Sequence, residues 1–186
     1  AIESKLDDVV HSNLTARGAV SMALYDIVGN FNSIPAHSLL GGAIHSELSI
    51  LGAIGSGTPE EDAAAIETLI DQGHQTVMIK MGALPIVHEI RRMTSAQKRF
   101  GDRVFIIVDA NQAWEVADTL EFLDRIRDDR PVLIEQHIKR WDIDGLKRIR
   151  DRAPCPLSAD ESLTTVEDAA TLIREQAVDV FSIKVS

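Results

Sequence analysis

Three acidic residues and two lysines stand at or close to the ends of short apolar runs. Asp109 closes the run IIVD, Glu135 closes LIE, and Asp160 directly follows LSA. Lys80 and Lys184 close the runs VMIK and FSIK in the same way. Three carboxylates without imidazole or thiolate form a hard-oxygen site, which suits Mg²⁺ or Mn²⁺ better than zinc or copper. We therefore expect the three acidic residues to bind Mg²⁺, with Mn²⁺ as the alternative ion.

A divalent cation next to two lysines suits the removal of a proton beside a substrate carboxylate. When that proton leaves, a second negative charge builds up, and the cation can neutralise it. A lysine must be neutral to accept the proton, and a neighbouring cation lowers its pKa from the usual value of about 10.4. Lys80 and Lys184 are therefore the candidate catalytic acid and base.

The elements that must position these residues alternate between strand and helix. Short β-prone runs end in polar residues or glycine, and an amphipathic helical pattern follows each run. The predicted strands are Glu47–Ala53, Thr76–Met81, Val104–Asp109, Val132–Gln136, Leu157–Asp160 and Val178–Val185. The predicted helices are Thr15–Asn30, Pro59–Gln72, Pro85–Phe100, Trp114–Arg127, Ile143–Arg152 and Val166–Gln176. This order predicts an α/β fold with a parallel sheet.

Such a sheet either closes into an eight-stranded barrel or stays open and doubly wound, and periodicity alone does not distinguish the two. In both folds, ligands bind at the carboxyl ends of the strands. A full barrel needs about 250 residues, whereas this chain has 186 residues and six predicted strands. If the sheet is a barrel, we expect it to be incomplete. Closure would set Lys80, on strand two, opposite Lys184, on strand six.

The composition is that of a globular domain. Hydrophobic residues make up 45% of the chain, and the net charge of −10 argues against nucleic acid or an anionic membrane as partner. Cys155 is the single cysteine, which excludes an internal disulfide. The apolar runs are too short to span a bilayer. We therefore expect a soluble, cytoplasmic protein.

These motifs resemble the mandelate racemase and muconate lactonizing branch of the enolase superfamily. VDANQAW, LIEQ, ADES and SIK match the family's third to sixth strands in order, and SMALYDIVGN followed by HSLLGG is similar to its lead-in to the barrel. The resemblance implies a (β/α) TIM-type barrel with about six of eight strands, lacking the N-terminal capping domain. Residues 1–43 are then a helical lead-in, and residues 44–186 are a partial barrel that carries the metal site.

The resemblance also assigns roles to individual residues. It implies that Asp109, Glu135 and Asp160 bind Mg²⁺. It implies that Lys80 and Lys184 move the proton, one on each face of a planar enolate.

The resemblance also draws attention to four other positions. Asn111 and Glu161 are expected to be supporting polar residues. Met78 departs from the family's usual Lys-x-Lys on strand two, and His137 stands where proline usually follows Glu-Gln.

Two lysines, rather than a lysine and a histidine, indicate the muconate cycloisomerase subgroup. We expect a muconate or chloromuconate cycloisomerase-like enzyme that acts on a small-molecule carboxylate and forms a homo-oligomer. Dipeptide epimerases, N-acylamino-acid racemases and o-succinylbenzoate synthases of the same subgroup are the alternatives.

Two interpretations from other classes of protein are also compatible with the sequence. One is a receiver-like domain, which also binds Mg²⁺ through acids at strand ends. The other is a catalytically silent barrel fragment. Among the remaining charged residues, Arg91 and Arg92 lie on a helical pattern, and we expect them on a solvated face.

Overall fold

A computed structural model describes Lys5, Val9 and residues 13–184. The described residues up to Leu48, together with Lys184, form one compact unit, and Ser49–Ile183 form the other. In the first unit, helix α1 spans Leu14–Asn32 and helix α2 spans Ala36–Leu39. The structure does not describe Val185, which the sequence places in the last strand. The start of the predicted lead-in (1–43) and the end of the predicted partial barrel (44–186) also lie outside the described residues.

The second unit alternates strands with helices, as the sequence predicts. The strands are β1 (Gly52–Ile54), β2 (Thr76–Lys80), β3 (Phe105–Asp109), β4 (Leu133–Glu135), β5 (Leu157–Ala159) and β6 (Val180–Phe181). The helices are α3 (Pro59–Asp71), α4 (Ile86–Phe100), α5 (Val116–Arg125), α6 (Ile143–Arg150) and α7 (Val166–Glu175). No helix in the described part of the chain is long and apolar enough to cross a membrane.

The strands follow one another in space in the order of the sequence. Each strand from β1 to β6 pairs in parallel with the next. A doubly wound sheet reverses its strand order at a switch point, whereas a (β/α) barrel keeps the strands sequential. The observed order therefore excludes the doubly wound sheet, and with it the receiver-like alternative, which is doubly wound.

The first and last strands are shorter than predicted. The prediction of a strand from Glu47 is wrong, because pairing with β2 begins only at Gly52. Leu48 and Ile50 are instead 79% and 74% exposed. An apolar run is β-prone, but it becomes a strand only where a neighbouring backbone offers hydrogen bonds.

Side-chain caps begin several of the helices where the sequence predicts them. Thr58 at α3 and Thr165 at α7 each form a capping box with an acidic residue in the first turn. Asp142 caps α6 by accepting a hydrogen bond from the amide of Gly145. These bonds satisfy backbone amides that have no partner inside the helix, so the loop before each helix has a defined end.

The two faces of the sheet have different surroundings. Successive side chains of a strand point to opposite faces. Val77, Ile79 and Val108 are fully buried in the core that the helices cover. Lys80 and Asp109 follow Ile79 and Val108, so they lie on the opposite face, called the inner face below.

Candidate active site

The register of the strands sets the charged side chains in one row. Lys80 of β2 pairs with Asp109 of β3, and Asp109 pairs with Glu135 of β4. Glu135 pairs with Ser158 of β5, and Asp160 lies two residues further along the chain. Paired residues of a parallel sheet point to the same face, and so do residues two apart. Lys80 and the three acidic residues therefore share the carboxyl edge of the inner face.

Lys80 and Asp109 are in direct contact. The Nζ of Lys80 donates hydrogen bonds to Oδ2 of Asp109 and, at 3.0 Å, to Oδ1 of Asn111. The other oxygen of Asp109 accepts a bond from the amide of Asn111 at 2.9 Å. The Asp109 side chain is 1% exposed, whereas that of Lys80 is 41% exposed. The candidate proton carrier thus pairs with a buried candidate metal ligand while remaining open to solvent.

Glu135 lies in a negatively charged environment created by Asp109 and Asp160. Burial raises the pKa of Glu135 above its ordinary value, and the charges of Asp109 and Asp160 raise it further. A hydrogen bond of 2.7 Å from the hydroxyl of Ser182, and the charge of Lys80, act in the opposite direction. A cation bound beside Glu135 would relieve this repulsion.

The donor chemistry of this row fits a hard divalent cation. The three acids supply only oxygen atoms, and they come from the ends of three neighbouring strands. Within the described ranges, no three side chains of histidine, cysteine, aspartate or glutamate are gathered closely enough to hold a metal ion. One oxygen of Asp109 is instead occupied by the ammonium of Lys80.

Gln136 is a residue of this site that the sequence reasoning missed. Its side-chain oxygen accepts bonds from the amides of Asp160 and Ser162 at 3.0 and 2.9 Å. Its nitrogen donates to the carbonyl of Ile138 at 3.0 Å and to the hydroxyl of Ser162 at 2.8 Å. These four bonds saturate the buried amide group and tie the start of the loop after β5 to the end of β4. The sequence signal that could have identified Gln136 is its position directly after the candidate ligand Glu135.

Asn111 links the ends of β3 and β5. Its side-chain nitrogen donates to Oε1 of Glu161 at 3.2 Å, while its oxygen accepts the bond from Lys80. Its φ of 43° lies in the left-handed region, which asparagine tolerates better than most residues. The two residues expected to be supporting polar groups are thus in contact with each other, and one of them contacts Lys80.

Three singled-out positions remain, which are Lys184, Met78 and His137. Lys184 is exposed, follows β6 after Ser182 and Ile183, and is grouped with the first unit. Met78 lies on the inner face two residues before Lys80 and is buried. His137 is fully buried, and neither ring nitrogen finds a hydrogen-bond partner among the described residues. Burial lowers the pKa of His137 to about 4, so its ring is neutral at physiological pH.

Comparison with known proteins assigns the chain to a family. A family model described as enolase C-terminal domain-like matches residues 61–186. The L-Ala-D/L-Glu epimerase of Clostridium acetobutylicum is 34% identical over 186 residues, covering 99% of this chain and 51% of that protein. Muconate cycloisomerase 1 of Pseudomonas putida is 30% identical over 183 residues, covering 98% and 49%. The chain spans about half the length of the curated relatives it matches.

Solved structures agree with these relatives. Muconate cycloisomerase from Pseudomonas fluorescens matches with a TM-score of 0.93 and 32% identity, over 98% of this chain and 51% of that one. The 2-chloromuconate cycloisomerase from Rhodococcus opacus 1CP matches with a TM-score of 0.92 and 33% identity, over the same shares of the two chains. The family inferred from the motifs is therefore confirmed, and the chain belongs to the enolase C-terminal domain-like family, in its mandelate racemase and muconate lactonizing branch.

Proposed function

We propose that the intact protein is a Mg²⁺-dependent isomerase or lyase that removes the proton next to a substrate carboxylate. The observation that carries this proposal is the contact between Lys80 and Asp109. It brings a group that can move a proton against a candidate metal ligand, in a row with Glu135. A helix cap or a surface ion pair would explain one such residue, but not a row of them at successive strand ends.

Asp109, Glu135 and Asp160 would hold the metal ion. When bound there, Mg²⁺ neutralises the charge that develops on the substrate carboxylate as the proton leaves. The protein's own contribution is to hold the ligands in place. Ser182 binds one oxygen of Glu135, and the side chain of Gln136 binds the amide of Asp160. Such supporting hydrogen bonds orient metal ligands.

Lys80 takes the proton at its Nζ atom. Asn111 accepts a hydrogen bond from that atom and donates one to Glu161, so the lysine has a fixed partner besides Asp109. Lys184 is proposed to act on the opposite face of the planar intermediate. Two such groups allow proton removal on one face and delivery on the other, as racemisation requires.

Cycloisomerisation of a muconate or chloromuconate is the first candidate reaction. The muconate and 2-chloromuconate cycloisomerase structures support it through their similarity over 98% of the chain. Epimerisation of a dipeptide is the second candidate, and the relative at 34% identity supports it. Racemisation of an N-acylamino acid and o-succinylbenzoate synthesis remain within the same subgroup.

Exchange of the α-proton for deuterium tests the proposal directly. The intact protein would be incubated with Mg²⁺ in deuterated water with muconate, chloromuconate, L-Ala-L-Glu and an N-acylamino acid. We expect exchange or turnover with at least one of these, and a loss of about 100-fold or more in Lys80→Ala and Lys184→Ala. Lys147→Ala is the matched control, because Lys147 is an exposed residue of α6. Full exchange in both active-site variants would contradict the assignment of the two lysines.

A further inference from the structure

Arg92 is buried, although its sequence pattern predicts a solvated residue. It lies on α4, and its side chain is 1% exposed. Nε and Nη2 donate to the two oxygens of Asp62 at 2.7 and 3.0 Å. Nη1 donates to Oε2 of Glu89 at 2.8 Å. The prediction of a solvated face is therefore wrong for Arg92, which is the central cation of a buried cluster.

The guanidinium group also binds the ends of two neighbouring strands. Nη1 donates to the carbonyl of Lys80 at 3.0 Å, and Nη2 donates to the carbonyl of Gly55 at 2.7 Å. Lys80 is the last residue of β2, and Gly55 is the first residue after β1. One side chain thus connects the carboxyl ends of β1 and β2, where each strand turns into its loop.

The same cluster holds the loop that follows Lys80. The free oxygen of Glu89 accepts bonds from the amides of Gly82 and Leu84 at 2.9 and 3.1 Å. Gly82 has a φ of +96°, and a Cβ there would come within 2.9 Å of the carbonyl oxygen of Ala110. Only glycine suits this position. The loop is therefore held by Glu89 on one side and packs closely against Ala110, the residue after β3, on the other.

This arrangement depends on the shape of a guanidinium. Its planar fork carries five N–H donors, and here every one of them meets Asp62, Glu89 or a strand-end carbonyl. A lysine ammonium has three donors at one point and cannot reach both carbonyls and both carboxylates. A cation whose sole role was to offset the buried negative charge of Asp62 and Glu89 would not need a hydrogen bond to the carbonyl of Lys80. Arg92 forms that bond as well.

We propose that Arg92 is a positioning residue for Lys80. By binding the carbonyl of Lys80, Arg92 fixes the point from which that side chain reaches Asp109. The inference rests on the proposed function, because it assigns Lys80 the proton transfer. A reacting group displaced by about 1 Å can lose about 100-fold in rate. Arg92 itself is buried, with its side chain 1% exposed, so it acts through Lys80 rather than on the substrate.

Two variants of the intact protein test this inference. Arg92→Lys keeps a positive charge between Asp62 and Glu89, so the net charge of the cluster is unchanged. Arg103→Lys is the matched control, because Arg103 also forms two hydrogen bonds with one carboxylate, that of Glu67, but in an exposed pair. For each variant, kcat and KM would be measured on the substrate found by deuterium exchange, and a crystal structure would be determined.

In Arg92→Lys, we expect kcat to fall by about 100-fold with KM nearly unchanged. We also expect the crystal structure to show Lys80 displaced from Asp109 and Asn111. Arg103→Lys should keep the rate and geometry of the wild type. The inference is overturned if Lys80 keeps its contacts in Arg92→Lys, or if the rate loss only equals the unfolded fraction measured by circular dichroism. If the wild type exchanges no proton, the proposed function fails, while the position of Lys80 in the variant still decides the role of Arg92.

Discussion

The side-chain oxygen of Gln136 accepts a 3.0 Å hydrogen bond from the backbone amide of Asp160, across the gap between β4 and β5. The same oxygen binds the amide of Ser162, and the whole amide group is buried. The candidate metal ligand that directly follows β5 is thus held by a residue adjacent to the candidate ligand on β4. If Asp160 binds Mg²⁺ as proposed, this relationship couples the affinity for the ion to a side chain that is not itself a ligand.

Replacing Gln136 by methionine should therefore weaken metal binding. The substitution leaves the amides of Asp160 and Ser162 without their partner, and each buried amide left unpaired costs about 1–3 kcal/mol. Loss of a residue that orients a ligand lowers metal affinity by about 10–100-fold. Calorimetric titration with Mg²⁺ measures this. Gln112→Met is the control, since among the described residues the side chain of Gln112 accepts one hydrogen bond, from the amide of Arg140. Equal affinities in the two variants would contradict the coupling.

Glu135 should make the stability depend on pH and on Mg²⁺. Its pKa is raised in the folded protein, mainly by burial and then by Asp109 and Asp160. The folded state therefore holds this proton more tightly than the unfolded state does, so the stabilising contribution is present below the ordinary pKa of glutamate and is lost as pH rises through the folded-state pKa. Urea unfolding without Mg²⁺ should show this loss in the wild type but not in Glu135→Gln.

The control for this prediction is Glu121→Gln, which alters an exposed residue of α5. That variant should follow the wild-type curve. Adding Mg²⁺ should restore the wild-type stability above the folded-state pKa, because the ion binds the charged carboxylate and not the protonated one. A Glu135→Gln curve that matches the wild type at every pH would show that another group causes the dependence.

The sequence predicted the row of charged residues because each one closes an apolar run. Asp109 and Glu135 lie where β3 and β4 end, and their register follows from the parallel sheet. The strand proposed from Glu47 failed because an apolar run carries no information about whether a partner backbone is present. The order of the strands in the sheet could not be predicted either, because a barrel and a doubly wound sheet have the same alternation of strands and helices along the chain.

The prediction for Arg92 failed for a different reason. Adjacent arginines on a helix suggest a solvated face, yet neighbouring positions point about 100° apart, and only Arg91 is exposed. Arg92 shares the buried side of α4 with Glu89 and Ala96, which lie three residues before it and four after it. An acidic and a basic residue at i and i+3 on the apolar side of a helix were the available signal for a buried ion pair. The contacts with strand-end carbonyls had no signal in the sequence.

Lys80 should act as a substitute cation for Asp109 when no metal is bound. Lys80→Met removes the ammonium and leaves the buried carboxylate of Asp109 without a positive partner. Because Lys80 is partly exposed, the loss of unfolding free energy should be modest, about 1 kcal/mol. Mg²⁺ should then raise the melting temperature of Lys80→Met more than that of the wild type. The comparison is made by calorimetry with and without the ion, and equal shifts would rule out this role.

His137 should make the fold sensitive to acid. Its buried ring has a pKa of about 4 in the folded state, against about 6.5 for an ordinary histidine. A lowered pKa contributes stability that is present above pH 6.5 and is lost as pH falls toward 4, because the unfolded chain takes up the proton first. The loss should approach about 3 kcal/mol, at 1.36 kcal/mol for each pH unit. Chemical unfolding between pH 7 and pH 4 measures it.

The matched substitutions are His137→Leu and His88→Leu. His137→Leu replaces a buried ring that makes no hydrogen bond within the described chain, so the acid-dependent loss should disappear without the cost of a broken bond. His88 is an exposed residue of α4, and its substitution should leave the wild-type pH dependence in place. If His137→Leu keeps the full loss between pH 7 and pH 4, the acid sensitivity arises from another group, and burial of a neutral ring at this position is not its cause.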